Sequence, residues 1–559
     1  MGSSPSMAGA QLSSPAHSPT VVTSDSIFHP RLPVVVGVLL LIALLFGAIR
    51  FRLRNMPLER DEGEYAYSGQ LLLQGIPPYK LAYNLKLPGI YVAYASMLAV
   101  LGETPAGIHL GLLLLNAVSS ILIFLLASHL FGGLAGVVSA ATYSLLSASA
   151  SVMGFEAHAT NFVVLPALLA VLCLLRGLRS HQRWLFLACG FLCGIAFLMK
   201  QHGVFFALFC FAYLIRAEWQ ENRKASDVSI DALFLALGFL LPYAITCLLL
   251  YRAGVFRQFW LWTVDYAGEY SKMGLRRGVR AFLENFGAIL RANAVVWTIA
   301  FVGLTSWAWN RRARNHLYFT ATFLLFSLLA LCPGAYFRPH YFILLLPAAA
   351  LLTGLAVSSA AETLAEHGNR RLALIPVMIF LAAFGWSVLS QRILYFSLDP
   401  YTAINVTYGS NPFVAAWQTA DYIRQSSSEK ARIAVLGSEP EIYFYARRHS
   451  VTGYLYMYSL IVRQKYTARM QKEFINEVET NRPEYLVYVD VADSWGEGRD
   501  SAPQASEFLA WVRKYTHDHY AVDGVAQLNE PNVYLKGESA RSFLASSGTQ
   551  AIYTLKRIP

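Results

Sequence analysis

Apolar residues dominate the first 391 positions in long uninterrupted runs, and polar residues cluster between those runs instead of alternating within them. Eleven such runs stand out: 33–51, 107–131, 134–153, 159–176, 184–199, 203–216, 231–251, 294–310, 317–333, 341–360 and 372–390. Crossing a hydrocarbon core takes about 20 residues of helix, so these runs predict a polytopic transmembrane helix bundle. Some runs are short or closely spaced, which puts the expected number of spans at about 11–13. The segment 88–101, PGIYVAYASMLAVL, is too short for a span and predicts a helix lying at the interface or re-entering it.

The pattern changes after 391. Short strand-like runs appear, such as Arg432–Gly437 (RIAVLG) and Tyr485–Val491 (YLVYVDV), separated by helical patterns such as 506–515. This alternation predicts a small α/β domain over 392–559. Residues 1–30 are rich in Ser, Pro and Ala without periodicity, which predicts a disordered tail. The run that follows is long enough to stay in the bilayer, and only Arg31 stands beside it as a basic residue, so it fits a signal peptide poorly. The division is therefore a tail over 1–30, a transmembrane domain over 31–391 whose first outer loop is 52–106, and an α/β domain over 392–559.

Composition agrees with a membrane protein. Of 559 residues, 55% are hydrophobic and 14% charged, against about 25% charged in soluble domains. The formal net charge of +11 has an ordinary explanation in the Lys and Arg that hold loops on the cytoplasmic side. No soluble segment carries a basic stripe interleaved with aromatics, so nucleic acid is not an expected partner. Basic residues fall in four short loops: Arg176, Arg179 and Arg183; Arg216, Arg223 and Lys224; Arg311, Arg312 and Arg314; Arg370 and Arg371. With eleven spans all four loops lie on the side of the N-terminus, which is then cytoplasmic. The opposite, outer side receives 52–106, the 154–158 turn, Lys200–His202, 252–293, 334–340 and the α/β domain.

The six cysteines, Cys173, Cys189, Cys193, Cys210, Cys247 and Cys332, all sit in apolar runs and read as small packed hydrophobes. Cys189 and Cys193 are four apart with no further thiolate set beside them in the sequence, which argues against metal there. The α/β domain contains no cysteine and is not held by disulfides.

The outer loop after the first span carries the candidate chemistry: RDEGEYAYSGQLLLQGIPPYKLAYNLKLPGIYVAYA, residues 60–95. Asp61, Glu62 and Glu64 are three acids in four positions. One reading is a solvated helix start, where acids are favoured. The turn residues that follow (Gly75, Pro77, Pro78, Pro88 and Gly89) favour an ordered loop folded on the membrane surface.

Asp61-Glu62, then Tyr65-Ala-Tyr67, Gly75-Ile-Pro77-Pro78-Tyr79 and Lys86-Leu-Pro88-Gly89 resemble the first outer loop of the GT-C superfamily, and more narrowly of glycosyltransferase family 39. That group includes protein O-mannosyltransferases and aminoarabinose transferases of lipid A. Phe155-Glu156-Ala-His158 and Arg338-Pro-His340-Tyr341 extend the resemblance through the membrane half. Two positions depart from the family pattern: Leu87 replaces the first Pro after the lysine, and Leu85 stands where some members place an acid. Leu85 leaves a second carboxylate to Glu62 or Glu156.

The resemblance implies transfer of a sugar from a polyprenyl-phosphate donor to an acceptor hydroxyl, with inversion, on the outer face. A hydroxyl nucleophile needs a base; by resemblance this is Asp61, with Glu62 orienting the acceptor or the sugar. The phosphate leaving group needs fixed cations, and Lys86 matches the family's phosphate-contacting lysine. Arg276 and Arg277, with Arg280, are further phosphate candidates, or else mark an amphipathic helix at lipid headgroups. Arg338, His340 and Tyr341 lie at the outer mouth of a span where a lipid head would enter; Tyr341 reads equally as an interfacial anchor. Tyr65, Glu156 and His158 complete the candidate substrate-binding set. Glu156 and His158 would hold a metal only with a third ligand from elsewhere, so no metal site is assigned and no cofactor is expected; a divalent metal is not expected to be required. Lys200, ending a span, reads as a lysine snorkelling to the interface. The implied partners are the lipid-linked donor, a glycan, lipid or protein acceptor, and the bilayer, in a bacterial plasma (inner) membrane.

A lipid-sugar flippase or transporter is the main alternative. Such proteins carry ionisable residues inside their spans, whereas the interiors of the runs here hold no Asp, Glu, Lys or Arg, and only His109 and His129 among the histidines. An oligosaccharide transferase of the N-glycosylation type would carry a WWDYG-like signature; the nearest string, Asp493-Ser-Trp495-Gly496, does not match. A non-catalytic scaffold would leave the 60–95 loop unexplained.

Overall fold

Each predicted apolar run folds as helix. In the computed structural model, residues 32–274, 278–367, 371–496, 500–528, 533–546 and 550–559 are described; the predicted tail and both Arg276 and Arg277 lie outside them. The helices of the first half are α1 (Leu32–Arg52), α2 (Arg60–Leu73), α3 (Gly89–Leu101), α4 (Pro105–Phe131), α5 (Gly133–Ser147), α6 (Ala159–Ser180), α7 (Arg183–Met199), α8 (Val204–Gln220) and α9 (Ala225–Arg252). Further helices, among them Ala294–Trp309, Leu317–Leu329, Leu346–His367 and Ile375–Ser390, complete the bundle.

Among the described residues, seven helices are long and apolar enough to cross a membrane, and an eighth span arises if Gly278–Ala292 and Ala294–Trp309, bent by 105°, count as one. The other predicted spans fall on shorter apolar helices: Gly133–Ser147, Arg183–Met199 and Leu317–Leu329. Large side chains such as Leu40, Leu41 and Leu44 of α1, Leu237 and Leu241 of α9, and Ile379 and Trp386 stay exposed. Such apolar exposure is stable against lipid tails, and the chain is a multi-pass membrane protein.

Between membrane helices the hydrophobic effect offers no drive, and close backbone approach takes its place. A Cβ on Gly190 of α7 would sit 2.0 Å from the Leu235 carbonyl oxygen of α9, and one on Gly238 would sit 2.1 Å from that of Leu187. Only glycine admits this crossing. At one end of the same helices the chain runs helical past the predicted spans. At that end Asp231, the first residue of the predicted run 231–251 and 1% exposed, pairs with Arg183 at 3.2 Å and Arg223 at 3.1 Å.

The α/β domain holds a six-stranded sheet in the order β2-β1-β3-β6-β4-β5. Its strands are β1 (Arg432–Leu436), β2 (His449–Ser450), β3 (Tyr485–Val489), β4 (Tyr520–Gln527), β5 (Tyr534–Lys536) and β6 (Ala551–Arg557). β1 pairs in parallel with β2 and β3, while β6 runs antiparallel between β3 and β4. The sheet domain lies directly on the loop that carries the acids: Tyr83 and Tyr454 form a parallel bridge, and Tyr67 stacks on Tyr443 with ring centroids 5.2 Å apart.

Candidate active site

α2 begins with a reciprocal cap. The Glu59 side chain accepts the Glu62 N–H at 2.9 Å, and the Glu62 side chain accepts the Glu59 N–H at 3.3 Å. This is the capping box with a glutamate in place of the usual Ser or Thr. It fixes the first turn and so the direction in which Asp61 leaves it. The positive end of the helix dipole favours an acid there.

Asp61 stands at the wall shared by two cavities. The smaller, about 210 Å³, is lined by Asp61, Lys86, Lys200, Arg338, Tyr341 and a group of aromatics including Trp262, Tyr266 and Tyr270. The larger, about 730 Å³, is lined by Glu59, Arg60, Asp61, His158, Arg338 and His340, and by Arg463, Asp493 and Asp500 from the α/β domain. Lys86 Nζ lies 3.2 Å from Asp61 Oδ2 and donates to the Tyr65 hydroxyl at 2.8 Å. Arg338 donates to the Tyr270 hydroxyl at 3.0 Å. Lys200 Nζ sits 3.9 Å from the centre of the Tyr341 ring, a cation–π contact.

The electrostatics follow from this crowding. Burial alone would push the Asp61 carboxyl up, but the charges of Lys86, His158, Arg338 and Lys200 outweigh it and hold the carboxyl well below its usual range. Burial lowers the Lys86 ammonium, and the facing Asp61 and Glu64 more than restore it. Lys200 has less compensation: burial and the neighbouring Lys86 push it well below the ordinary lysine value. Burial, with the nearby Asp61 charge, raises Glu64 to about 8 against the opposing pull of Lys86. His158 is pushed down to about 4 by burial, with Asp61 and Glu62 opposing.

Among the residues expected at the site, Asp61, Lys86, Arg338, His340 and Tyr341 line the smaller cavity, and His158 joins Asp61, Arg338 and His340 in the larger. Three others stand behind the walls. Glu62 is fully buried, with Oε1 3.1 Å from His109 Nε2 and accepting the Ala157 N–H at 2.6 Å. Both its oxygens are engaged by the chain and it lines neither of these cavities, in contrast to the direct contact with acceptor or sugar expected from the sequence. Tyr65 is 1% exposed and holds Lys86. Glu156 is fully buried, raised to about 7 by burial and the Glu62 charge, and lines neither cavity. Arg280 is exposed and paired with Glu284 at 2.7 Å.

The structure adds residues that sequence reasoning passed over. Lys200 does not snorkel; it is buried and turned into the cavity, where Tyr341 receives it. Glu59 becomes a cap and a cavity wall. Glu64 collects the Asn84 amide and the Tyr91 hydroxyl, both at 2.6 Å. The signal for Glu64 was its place in the acidic triplet; for Lys200 only its position at a span end was available.

Among the described residues, two groups of side chains bring possible metal ligands together. Asp61, His158 and His340 bring one ligand atom each within 4.8 Å of one another, and the two imidazoles stack with centroids 4.1 Å apart. Cys189, Cys193 and Cys210 do the same within the membrane helices, with Cys193 and Cys210 sulfurs 3.9 Å apart. The expectation that Cys189 and Cys193 stand without a further thiol is thereby corrected: Cys210 reaches them from the next helix.

This architecture, a membrane bundle whose first outer loop is pressed under an α/β domain, is the fold that the loop motifs led us to expect. A family model described as dolichyl-phosphate-mannose-protein mannosyltransferase matches residues 87–246. ArnT from Cupriavidus metallidurans bound to undecaprenyl phosphate shares the fold at a TM-score of 0.55 and 14% identity, over 93% of this chain and 97% of that one. The Archaeoglobus fulgidus oligosaccharyltransferase tethered with an acceptor peptide follows at 0.53 and 12%, over 95% and 76%. The same organism's AglB in complex with an inhibitory peptide and a dolichol-phosphate gives 0.50 and 12%, over 94% and 76%. No curated protein matches the chain significantly in sequence.

Proposed function

We propose that the protein is an inverting membrane glycosyltransferase that moves a sugar from a polyprenyl-phosphate donor to an acceptor hydroxyl, with Asp61 as general base. The observation that carries this reading is the position of Asp61 between two cavities, one of them lined by Lys86, Lys200 and Arg338. Three cations around one acid suit a phosphate, whose charge grows as the glycosidic bond breaks. The acceptor oxygen, entering from the larger cavity, attacks the anomeric carbon. Its proton passes to Asp61, and the electron pair of the broken C–O bond leaves on the phosphate oxygen.

A carboxylate held so low is a weak base, and donor binding corrects this. A phosphate bound beside Lys86 and Arg338 brings negative charge that offsets their pull on Asp61. Neutralising Lys86 and Arg338 in this way raises Asp61 toward useful basicity only when the donor is present. Undecaprenyl phosphate and dolichol-phosphate, named with the structurally similar proteins, are ligands of the matching class.

The same reading divides the chain into a catalytic bundle over 31–391 and an α/β domain over 392–559, and sets the site on the extracytoplasmic face of the plasma membrane with the N-terminus inside. In support, loops 60–95, 154–158, 200–202 and 334–340, which the basic-loop rule puts on one side, converge at Asp61. The acceptor is a glycan, lipid or protein hydroxyl. Asp61→Asn, in protein that still inserts and folds, should lower transfer from radiolabelled polyprenyl-phosphate sugar in membranes by about 10²–10⁴-fold. Unchanged transfer would remove Asp61 as the base, and wild-type membranes without transfer would favour a flippase.

A further inference from the structure

The first turn of α2 is fastened from the side of the α/β domain as well as from the bundle. Arg60, the residue before Asp61, directs its guanidinium at Glu439, with Nη2 and Nε 3.0 and 3.2 Å from Oε1. Glu439 is fully buried, and its other oxygen accepts the Ser438 N–H at 2.7 Å and the Ser494 hydroxyl. Ser438 follows β1 and Ser494 follows β3, so the loops at one end of the sheet preorganise a carboxylate and aim it at the neighbour of the base.

Two further contacts bracket Asp61. A Cβ on Gly63 would lie 2.5 Å from the backbone nitrogen of Glu441, so glycine alone lets helix Glu441–Ala446 seat against α2. The Tyr456 hydroxyl is 3.1 Å from the Arg60 carbonyl oxygen and 3.2 Å from Glu64 Oε2. Residues 60, 63 and 64 are thus all gripped by the α/β domain, while Asp61 is free to face the cavities.

A buried ion pair adds little net stability, because desolvation offsets much of the attraction. Its effect is geometric, and catalysis is sensitive to geometry: a displacement of about 1 Å can cost roughly 100-fold in rate. We propose that Arg60 and Glu439 are positioning residues through which the α/β domain sets the placement of Asp61 between the two cavities. This rests on the reading of Asp61 as the base, and makes the domain a working part of the site.

The test uses the full chain in native membranes and in detergent. Glu439→Gln and Arg60→Met should each lower kcat for sugar transfer at least tenfold, with the donor KM within twofold of wild type. The double variant should cost no more than the worse single one, since the second change removes a pair already broken. Glu439→Asp should recover part of the loss. Hydrogen exchange should accelerate in peptides covering 58–67 in both single variants, while the membrane helices stay unchanged. Additive losses, a kcat within twofold of wild type, or unchanged exchange at 58–67 would each overturn the proposal. Absence of transfer in wild type would defeat the glycosyltransferase reading, and the exchange data would still decide whether the pair holds the turn.

Discussion

The Lys86 ammonium lies 3.2 Å from the Asp61 carboxylate, so the cation that would meet a phosphate and the group that would accept a proton form one electrostatic unit. Removing the cation should act on both substrates. Lys86→Met forfeits a charge-assisted contact worth about 1.5–3 kcal/mol, so the donor KM should rise roughly 10–100-fold. It also releases Asp61 from its strongest restraint, and the acid limb of the kcat profile should move to higher pH. Donor titrations at several pH values check this, and a KM within twofold of wild type would count against a phosphate at Lys86.

Lys200 separates a snorkelling lysine from a functional one. Buried and seated on the Tyr341 ring, it lines the same cavity as Asp61 and Lys86. Lys200→Met should therefore leave folding and insertion intact and raise the donor KM by roughly tenfold, the worth of one exposed-to-buried charged hydrogen bond. Tryptophan fluorescence offers a binding readout with undecaprenyl phosphate as probe, because Trp262 lines the same cavity. Equal affinity in variant and wild type would assign Lys200 to packing alone.

Much of this layout was legible along the chain because it is written in local pattern. Each apolar run predicted a helix, and the strand-like runs at 432–437 and 485–491 hold β1 and β3. Lys86, Arg338 and His340 were singled out by their neighbours in sequence. What remained hidden depends on distant partners. Lys200 turns inward because Tyr341 comes from another helix, and Arg60 meets a carboxylate 379 positions later. The insertion of β6 between β3 and β4 likewise has no local signature. Glu62 and Asp61 are adjacent in sequence but face opposite ways, a consequence of the cap at Glu59 that no spacing rule distinguishes.

Glu64 predicts an alkaline limb. Burial, with the nearby Asp61 charge, raises its carboxyl to about 8, so it is neutral below that pH and anionic above it. Ionisation places a second negative charge beside Lys86 and opposes an incoming phosphate, so the donor KM should rise as the pH passes about 8. Glu64→Gln keeps the acceptor for Tyr91 and cannot ionise, and its KM should be flatter than wild type between pH 7 and 9. Superimposable profiles would exclude Glu64 as the source.

Glu62 should behave as a structural residue. Its buried carboxylate holds the Glu59 N–H, the Ala157 N–H and the His109 ring. Glu62→Ala leaves those donors unsatisfied at about 1–3 kcal/mol each, so the variant should melt at a lower temperature in detergent. The surviving folded fraction should bind undecaprenyl phosphate normally. A variant that melts like wild type but transfers no sugar would instead place Glu62 in the chemistry.

The stacked imidazoles of His158 and His340, 4.1 Å apart, could hold a divalent ion with Asp61, yet the charge around them argues that transfer does not depend on one. Lys86 and Arg338 already face the same carboxylate, and a further double positive charge would be repelled by both while competing with Lys86 for Asp61. The cations present are also those a leaving phosphate needs. Chelation with EDTA should therefore leave transfer within twofold of untreated membranes. His340→Ala should raise the donor KM less than Lys86→Met does. Complete loss of transfer on chelation, restored by manganese or zinc and absent in His340→Ala, would show instead that the metal supplies the charge here assigned to the lysines and arginine.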